Sequence, residues 1–251
     1  MRAERLNAVL DHIAEHGSVD VLGLAARLGV SGATIRRDLQ SLHEQGLLVR
    51  THGGAMASNL SLELPMRYKM AHHHPEKRRI GAAAAGLVAD GAVVGMTGGT
   101  TTTEVARSLA ERDNITVVTN ALNIAAELVL RPNIRLLVIG GKARHASYEL
   151  VGPTAEKMLT EYHFDIAFIG VDGLTVAEGC TTHDEMEAHT DLAFIRQAQR
   201  NVVVTDSSKV GKIRFAKICD LAAIDDLVTD SDLEPSDAEA LRCAGVSVAS
   251  A

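Results

Sequence analysis

Apolar positions near the start of the chain recur at helical spacing. Leu6, Val9, Leu10 and Ile13 stand at i, i+3, i+4 and i+7, which predicts an amphipathic helix over residues 2–16 stopped by Gly17. Val21, Leu24, Ala25 and Leu28 form a second stripe, broken by Gly29 and Val30. Ser31 suits the N-cap of a third helix, because its hydroxyl can accept an orphan backbone N–H. In that helix Ile35, Leu39 and Leu42 share one stripe, while Ala33, Arg37 and Gln40 lie opposite with Thr34 and Arg36 on the flanks. Gly46 ends the helix, residues 47–50 read as a short strand, and Gly53 and Gly54 can turn it back. Residues 56–75 lose the periodicity and read as a linker, with Pro65 and Pro75 bracketing its second half.

From residue 76 the pattern changes character. Apolar runs at 92–96, 115–119, 134–139, 166–169 and 202–204 read as short buried strands. Helical stretches at 76–90, 100–112, 121–131, 153–162 and 184–199 separate them. The alternation predicts a Rossmann-like α/β body, a mostly parallel sheet covered by helices on both faces. The expected division is a head at 1–56, a linker at 57–75 and the α/β body at 76–251.

Two helices joined by a short turn, the second with a basic outer face, followed by a hairpin, have the layout of a winged helix-turn-helix. Such a helix fits the major groove of double-stranded DNA: small residues at its start let the backbone approach, Arg reaches bases or phosphates, and Thr or Gln adds hydrogen bonds. The candidate DNA contacts are Ser31, Ala33, Thr34, Arg36, Arg37, Gln40, Arg50 and His52. An αα-hairpin with merely solvated arginines has the same pattern.

In open parallel sheets ligands bind beyond the carboxyl ends of the strands. After the first strand stand Thr97, Gly98, Gly99, Thr100, Thr101 and Thr102, opening a helix. Glycines let a backbone approach an anion, and hydroxyls and free helix N–H groups donate to it. The run lacks the lysine of a P-loop and the third glycine of a dinucleotide fingerprint, and a glycine turn with threonine caps looks the same. The other strand ends carry Asn120, then Gly141 with Arg144, then Asp172 with Gly173, then Asp184 with Glu185, then Lys209. Arg144 and Lys209 could balance an anionic ligand, and Asp172 and Asp184 could hold sugar hydroxyls. Each alone is ordinary turn or cap chemistry; their coincidence on one rim carries the expectation of a site.

The net charge of −7 changes the picture of the head. Residues 1–54 hold six basic and six acidic side chains, so the remainder carries the whole imbalance. A domain-wide basic footprint is missing, which implies weak binding per copy and more than one head on the DNA. Cys180, Cys219 and Cys243 are odd in number and far apart in sequence, arguing against a disulfide framework or a thiolate zinc site. His72, His73 and His74 are adjacent and cannot share a helix face, so no metal is expected there. The first 17 residues carry Glu4, Asp11 and Glu15 and no apolar core of a signal peptide, and no run reaches membrane-span length. A cytoplasmic protein with no membrane partner is expected.

The run V-S-x-x-T-I-R-R-D-L from Val30 to Leu39, followed by R-x-H-G-G-A from Arg50 to Ala55, resembles the DNA-binding domain of the DeoR family of bacterial transcription regulators. The body resembles that family's sensing domain through G-G-T-T-T at 98–102, T-N-A-L at 119–122, G-G at 140–141, G-V-D-G at 170–173, D-S-S-K at 206–209 and T-D at 229–230. The resemblance implies a fold related to ribose-5-phosphate isomerase and a phosphorylated sugar or derivative as effector, with its phosphate at residues 97–102. It also implies a repressor of a carbohydrate operon acting on operator DNA as a homo-oligomer, dimer or tetramer, with no cofactor. One departure shows: members often carry a basic residue near 191–192, where this chain has Asp191 and Leu192. The alternative is an isomerase-like enzyme with an appended DNA-binding head, in which Asp172 or Glu185 serves as base and Lys209 stabilises an enolate-like charge. Against it, Leu174, Thr175 and Val176 replace the lysine-and-glycine stretch of the isomerases.

Overall fold

The structure is a computed structural model that describes residues 2–57, 63–70 and 72–251. It forms two compact units, Met1–His72 and His73–Ala251.

In the first unit α1 (Arg2–His16) leads through β1 (Ser18–Asp20) to α2 (Val21–Leu28) and α3 (Gly32–Glu44). The hairpin β2 (Leu48–Arg50) and β3 (Gly54–Ala57) follows. Val9, Leu10, Ile13, Leu24, Ile35, Leu39 and Leu42 are buried together as the core of this unit. The expected stripes therefore face inward. Asp20 caps α2 by accepting the Gly23 N–H at 2.7 Å, and Gly29, at φ 64, closes it in the left-handed region. Ser31 accepts the Thr34 N–H at 3.2 Å at the start of α3. Asp38 points inward from α3 and takes Arg5 of α1 at 2.5 Å, a buried carboxylate satisfied by a bidentate cation.

The sheet of this unit has the order β1-β3-β2. The unexpected member is β1, three residues with one buried position, too short to give a period. It pairs antiparallel with β3, and a side chain on Gly54 would run into the Val19 carbonyl, so the wing needs glycine there. Part of the stretch expected as a linker is also built. Met66 and Tyr68 lie buried on α4 (Met66–Lys69), and the Tyr68 hydroxyl donates to Gln45 at 2.7 Å. A four-residue helix is too short to show a period in the sequence.

In the second unit α5 (His74–Ala85) begins earlier and ends sooner than expected, with Pro75 in its first turn and Gly86 after it. Then come β4 (Val93–Met96), α6 (Thr100–Leu109), β5 (Ile115–Thr119), α7 (Leu122–Leu128) and β6 (Ile134–Val138). A hairpin of β7 (Lys142–Arg144) and β8 (Glu149–Val151) precedes α8 (Pro153–Leu159) and β9 (Ile166–Ile169). Next are β10 (Gly173–Thr175), β11 (Gly179–Thr182), α9 (Glu185–Gln197), β12 (Asn201–Val204) and β13 (Ala216–Cys219). The unit ends with β14 (Asp226–Thr229), α10 (Pro235–Cys243) and β15 (Ser247–Ser250).

Seven strands form one parallel sheet in the order β15-β14-β12-β9-β4-β5-β6. All four residues of β9 and of β12 are buried, as expected of strands covered on both faces. One core holds α5, α6 and α7 against the sheet, and a second holds α8, α9 and α10. The antiparallel sheet β10-β11-β13 and the hairpin β7-β8 were not expected, nor were β14, α10 and β15. Most of these are three or four residues long and mix polar with apolar positions. In the small sheet Cys180 and Cys219 are cross-strand partners, and all three cysteines are free thiols. No described helix is long and apolar enough to cross a membrane.

Candidate nucleic-acid interface and effector cradle

On the first unit the outer face of α3 and the wing form a continuous polar surface. Ser31, Ala33, Arg36, Arg37, Arg50 and His52 are exposed, and Thr34 and Gln40 are half-buried. The Ser31 and Thr34 hydroxyls lie 2.9 Å apart at the helix start. Arg37 donates to the Ala33 carbonyl at 3.3 Å, lying along the helix. Gln40 accepts from Arg50 of the wing at 2.5 Å and donates to Glu44 at 2.7 Å. All eight expected residues therefore belong to one unit, and Arg50 joins the strand to the helix. Missing from the expectation was Glu44, an acid that accepts from Gln40.

On the second unit the order of the sheet places the crevice. After β4 the chain runs outward through β5 and β6; after β9 it runs the other way through β12, β14 and β15. The switch point lies between β4 and β9, where ligands bind in such sheets. The two strands end in the 97–102 turn and in Gly170-Val171-Asp172. These ends are fastened to each other: the Gly170 N–H donates to the Thr97 hydroxyl at 3.0 Å. A side chain on Gly170 would press on the Gly98 carbonyl, at 2.5 Å. Gly99, at φ 134, precedes α6, and the Thr102 and Thr103 hydroxyls donate back to its carbonyl at 3.0 and 2.6 Å. Thr97, Thr101 and Thr102 are buried and Thr100 is half-buried.

The other expected residues divide. Asn120 is buried at the end of β5 and donates to Glu149 at 3.4 Å and to the Leu150 carbonyl at 3.2 Å. Arg144 of β7 bridges Glu187 at 2.9 Å and Asp184 at 3.2 Å. Asp184 also caps α9, accepting the N–H groups of Met186 and Glu187. Burial pushes its carboxyl up, but those N–H groups and Arg144 outweigh that and hold it below the usual range. Asp172 faces Lys209 at 3.4 Å and His183 at 3.9 Å. Gly173 packs against the Lys212 carbonyl with no room for a side chain. Glu185 and Gly141 are exposed; Glu185 sits on the first turn of α9, away from the acids below, and Gly141 lets the hairpin close on Val151.

Three buried carboxyls were not foreseen: Glu149, Glu187 and Asp191. The Thr182 hydroxyl donates to Glu187 at 2.5 Å. Burial pushes Glu187 well up, and the neighbouring Glu149 adds to this while Arg144 opposes it. Asp191 is raised by burial and then by Glu149 and Glu187. Glu149 is raised by burial, against the Gly98 N–H that it accepts. A signal for two of them existed: Glu187 and Asp191 fall on the stripe of α9 that also buries Ala188, Phe194 and Ile195. Arg214, also unforeseen, donates to the Asp172 carbonyl at 3.1 Å. Among the described residues no group of His, Cys, Asp and Glu could hold a metal ion.

A groove-reading head and an α/β body with a polar crevice at its switch point define a ligand-responsive DNA-binding protein. The family described as "DeoR-like helix-turn-helix domain" matches residues 5–59, and "DeoR C terminal sensor domain" matches residues 72–231. The chain belongs to the DeoR family of transcription regulators. It is 37% identical to the putative aga operon transcriptional repressor of Escherichia coli O157:H7, over 98% of this chain and 93% of that one. It is 29% identical to the glycerol-3-phosphate regulon repressor of Escherichia coli K12, over 92% of this chain and 91% of that one. Among solved structures, ribose 5-phosphate isomerase A of Methanocaldococcus jannaschii is similar with a TM-score of 0.41 and 21% identity, over 55% of this chain and 55% of that one.

Proposed function

We propose that this protein represses a carbohydrate-use operon and leaves its operator when a phosphorylated sugar or sugar derivative binds the rim of the second unit. The observation that carries this is the fastened turn at the switch point, where Gly98, Gly99 and the buried Thr97, Thr101 and Thr102 surround the start of a ten-residue helix. Such a turn presents backbone N–H groups, hydroxyls and a helix dipole to an anion. Asp172 and Asp184, with Asn120, supply partners for hydroxyls, and Arg144 and Lys209 supply positive charge. The names of the relatives, an aga operon repressor and a glycerol-3-phosphate regulon repressor, support the same reading. The effector acts by binding the DNA-competent and released forms unequally.

The body binds without turnover and the protein works in the cytoplasm. It acts as a homo-oligomer, so that two heads share one operator. Leu130 (79% exposed), Val129 (67%) and Phe215 (76%) are large apolar side chains available for such a contact. Thermal denaturation of the full chain against a panel of sugar phosphates and their unphosphorylated parents tests the reading. A phosphorylated member raises the melting temperature and its parent does not, since a ligand of the folded state at 100 times its Kd adds about 2.7 kcal/mol. Equal shifts from phosphorylated and unphosphorylated sugars, or none, contradict it.

A further inference from the structure

The backbone N–H at the centre of the expected phosphate cradle already has an anion on it. Gly98 donates its N–H to Oε1 of Glu149 at 2.7 Å. The two are packed so closely that a Cβ on Gly98 would come within 2.4 Å of the Glu149 side chain. Glu149 is 2% exposed and comes from β8, outside the main sheet. The Asn120 amide reaches the same oxygen at 3.4 Å, and its own Oδ1, fully buried, has no hydrogen-bond partner.

Resting on the phosphate reading above, we propose that the Glu149 carboxylate is a built-in occupant of the anion position at Gly98, and that a phosphate monoester binds this body by displacing it. Two anions cannot share one N–H, and a phosphate beside the Glu149 carboxylate would be repelled. The site is thus filled in the free protein by a group of the same charge type as the ligand's phosphate. Its departure leaves the Gly98 N–H to the phosphate and the Asn120 side chain to a ligand hydroxyl. The effector's affinity is lowered by the free energy of ejecting Glu149, the ordinary penalty for a binding-competent state that is sparsely populated.

The displaced residue is well placed to report its own movement. Glu149 opposes Arg144 across the β7-β8 hairpin. Arg144 in turn holds Asp184 and Glu187 at the start of α9. Expelling Glu149 therefore strains a hairpin whose other strand is tied to a helix of the body. Tyr148, immediately before it, has φ 63, a left-handed conformation that a non-glycine residue holds only under constraint. This makes Glu149 a residue that sets effector affinity, as distinct from a ligand of the effector.

The test is titration of inorganic phosphate into the full chain by calorimetry, with wild type, Glu149→Ala and Glu149→Gln compared. Circular dichroism shows that each variant is folded, and Glu149→Gln keeps the side-chain volume should Glu149→Ala lose structure. The expected result is at least tenfold tighter phosphate binding for Glu149→Ala, with Glu149→Gln between it and wild type. Unchanged or weaker binding in both variants overturns the inference, because Glu149 is then scaffold or ligand. A fourth protein, Thr101→Val, separates this from failure of the site itself. If Thr101→Val weakens phosphate while the Glu149 variants leave it unchanged, the cradle stands and the displacement falls. If none of the four proteins binds phosphate, or if Thr101→Val and both Glu149 variants all bind it as wild type does, both fall.

Discussion

Arg50, at the end of β2, donates to Oε1 of Gln40 on α3 at 2.5 Å, so the wing and the recognition helix share one hydrogen-bonded face. The arginine fixes which end of the Gln40 amide points outward, because its carbonyl oxygen is already accepting. The amide nitrogen is held by Glu44 at 2.7 Å. Each end of the amide keeps one further site, a second N–H and a second lone pair, with which Gln40 can meet a base edge. Replacing Gln40 by Ala should cost about 1–3 kcal/mol at one base position and relax the preference there. Replacing Arg50 by Ala should weaken binding to all sequences alike and lower the salt slope by about 1. Fluorescence anisotropy with operator and scrambled duplexes at several salt concentrations distinguishes the two patterns.

Arg37 is exposed on the same face and donates to the Ala33 carbonyl at 3.3 Å. Arg37→Ala should reduce operator affinity by about 1–3 kcal/mol if it grips a guanine bidentately, with discrimination lost at that base. A smaller loss, equal for operator and scrambled DNA, would assign Arg37 to a phosphate.

Asp191 gives a pH dependence with a definite sign. It is fully buried and faces Glu149, Glu187, Asp172 and Cys219 from the surrounding elements, so its carboxyl is held neutral well above its ordinary range. A carboxyl raised on folding contributes no penalty below its unfolded value of about 4, and destabilises increasingly as pH rises toward the folded value. Asp191→Asn removes that penalty. Its melting temperature should exceed wild type at pH 8 and converge with it near pH 4. A variant less stable than wild type at pH 8 would show that the ionised carboxylate is a favoured partner in the fold.

Gly81 lies where α5 crosses α6, and a side chain there would meet the Glu104 backbone at 2.6 Å. Backbone cannot yield as a flexible side chain does. Gly81→Ala should therefore destabilise the second unit by about 1–3 kcal/mol, despite the better helix propensity of alanine. Denaturant titration followed by circular dichroism measures this.

What was legible in the sequence follows from element length and period. The stripes Leu6–Ile13 and Ile35–Leu42 run over about two helical turns each and face the core as expected. The strands β4 and β9 are uninterrupted by polar side chains, and β5 and β12 hold only threonine or a leading asparagine beside their apolar residues. The β7-β8 hairpin was hidden because each strand has three residues and one of them holds a buried charge, Glu149, against the rule that charges face out. The same rule sent attention to Glu185, which is exposed, and past Glu187, which is buried two residues on. The burial of Glu187 could be read from the stripe of α9, but its partner Arg144, more than 40 residues away, could not. The turn at 97–102 was legible because glycine and threonine state their own chemistry, whereas the Glu149 that covers it came from a distant hairpin.

The measurement that bears most directly on the account is anisotropy of a labelled duplex taken from upstream of the protein's own operon, titrated with the full chain with and without a saturating sugar phosphate found by the denaturation panel. The account predicts a sequence-preferring complex at physiological salt that dissociates when the phosphorylated ligand is added and persists with its unphosphorylated parent. A complex that ignores the ligand, or no preference over scrambled DNA at any salt, would contradict it.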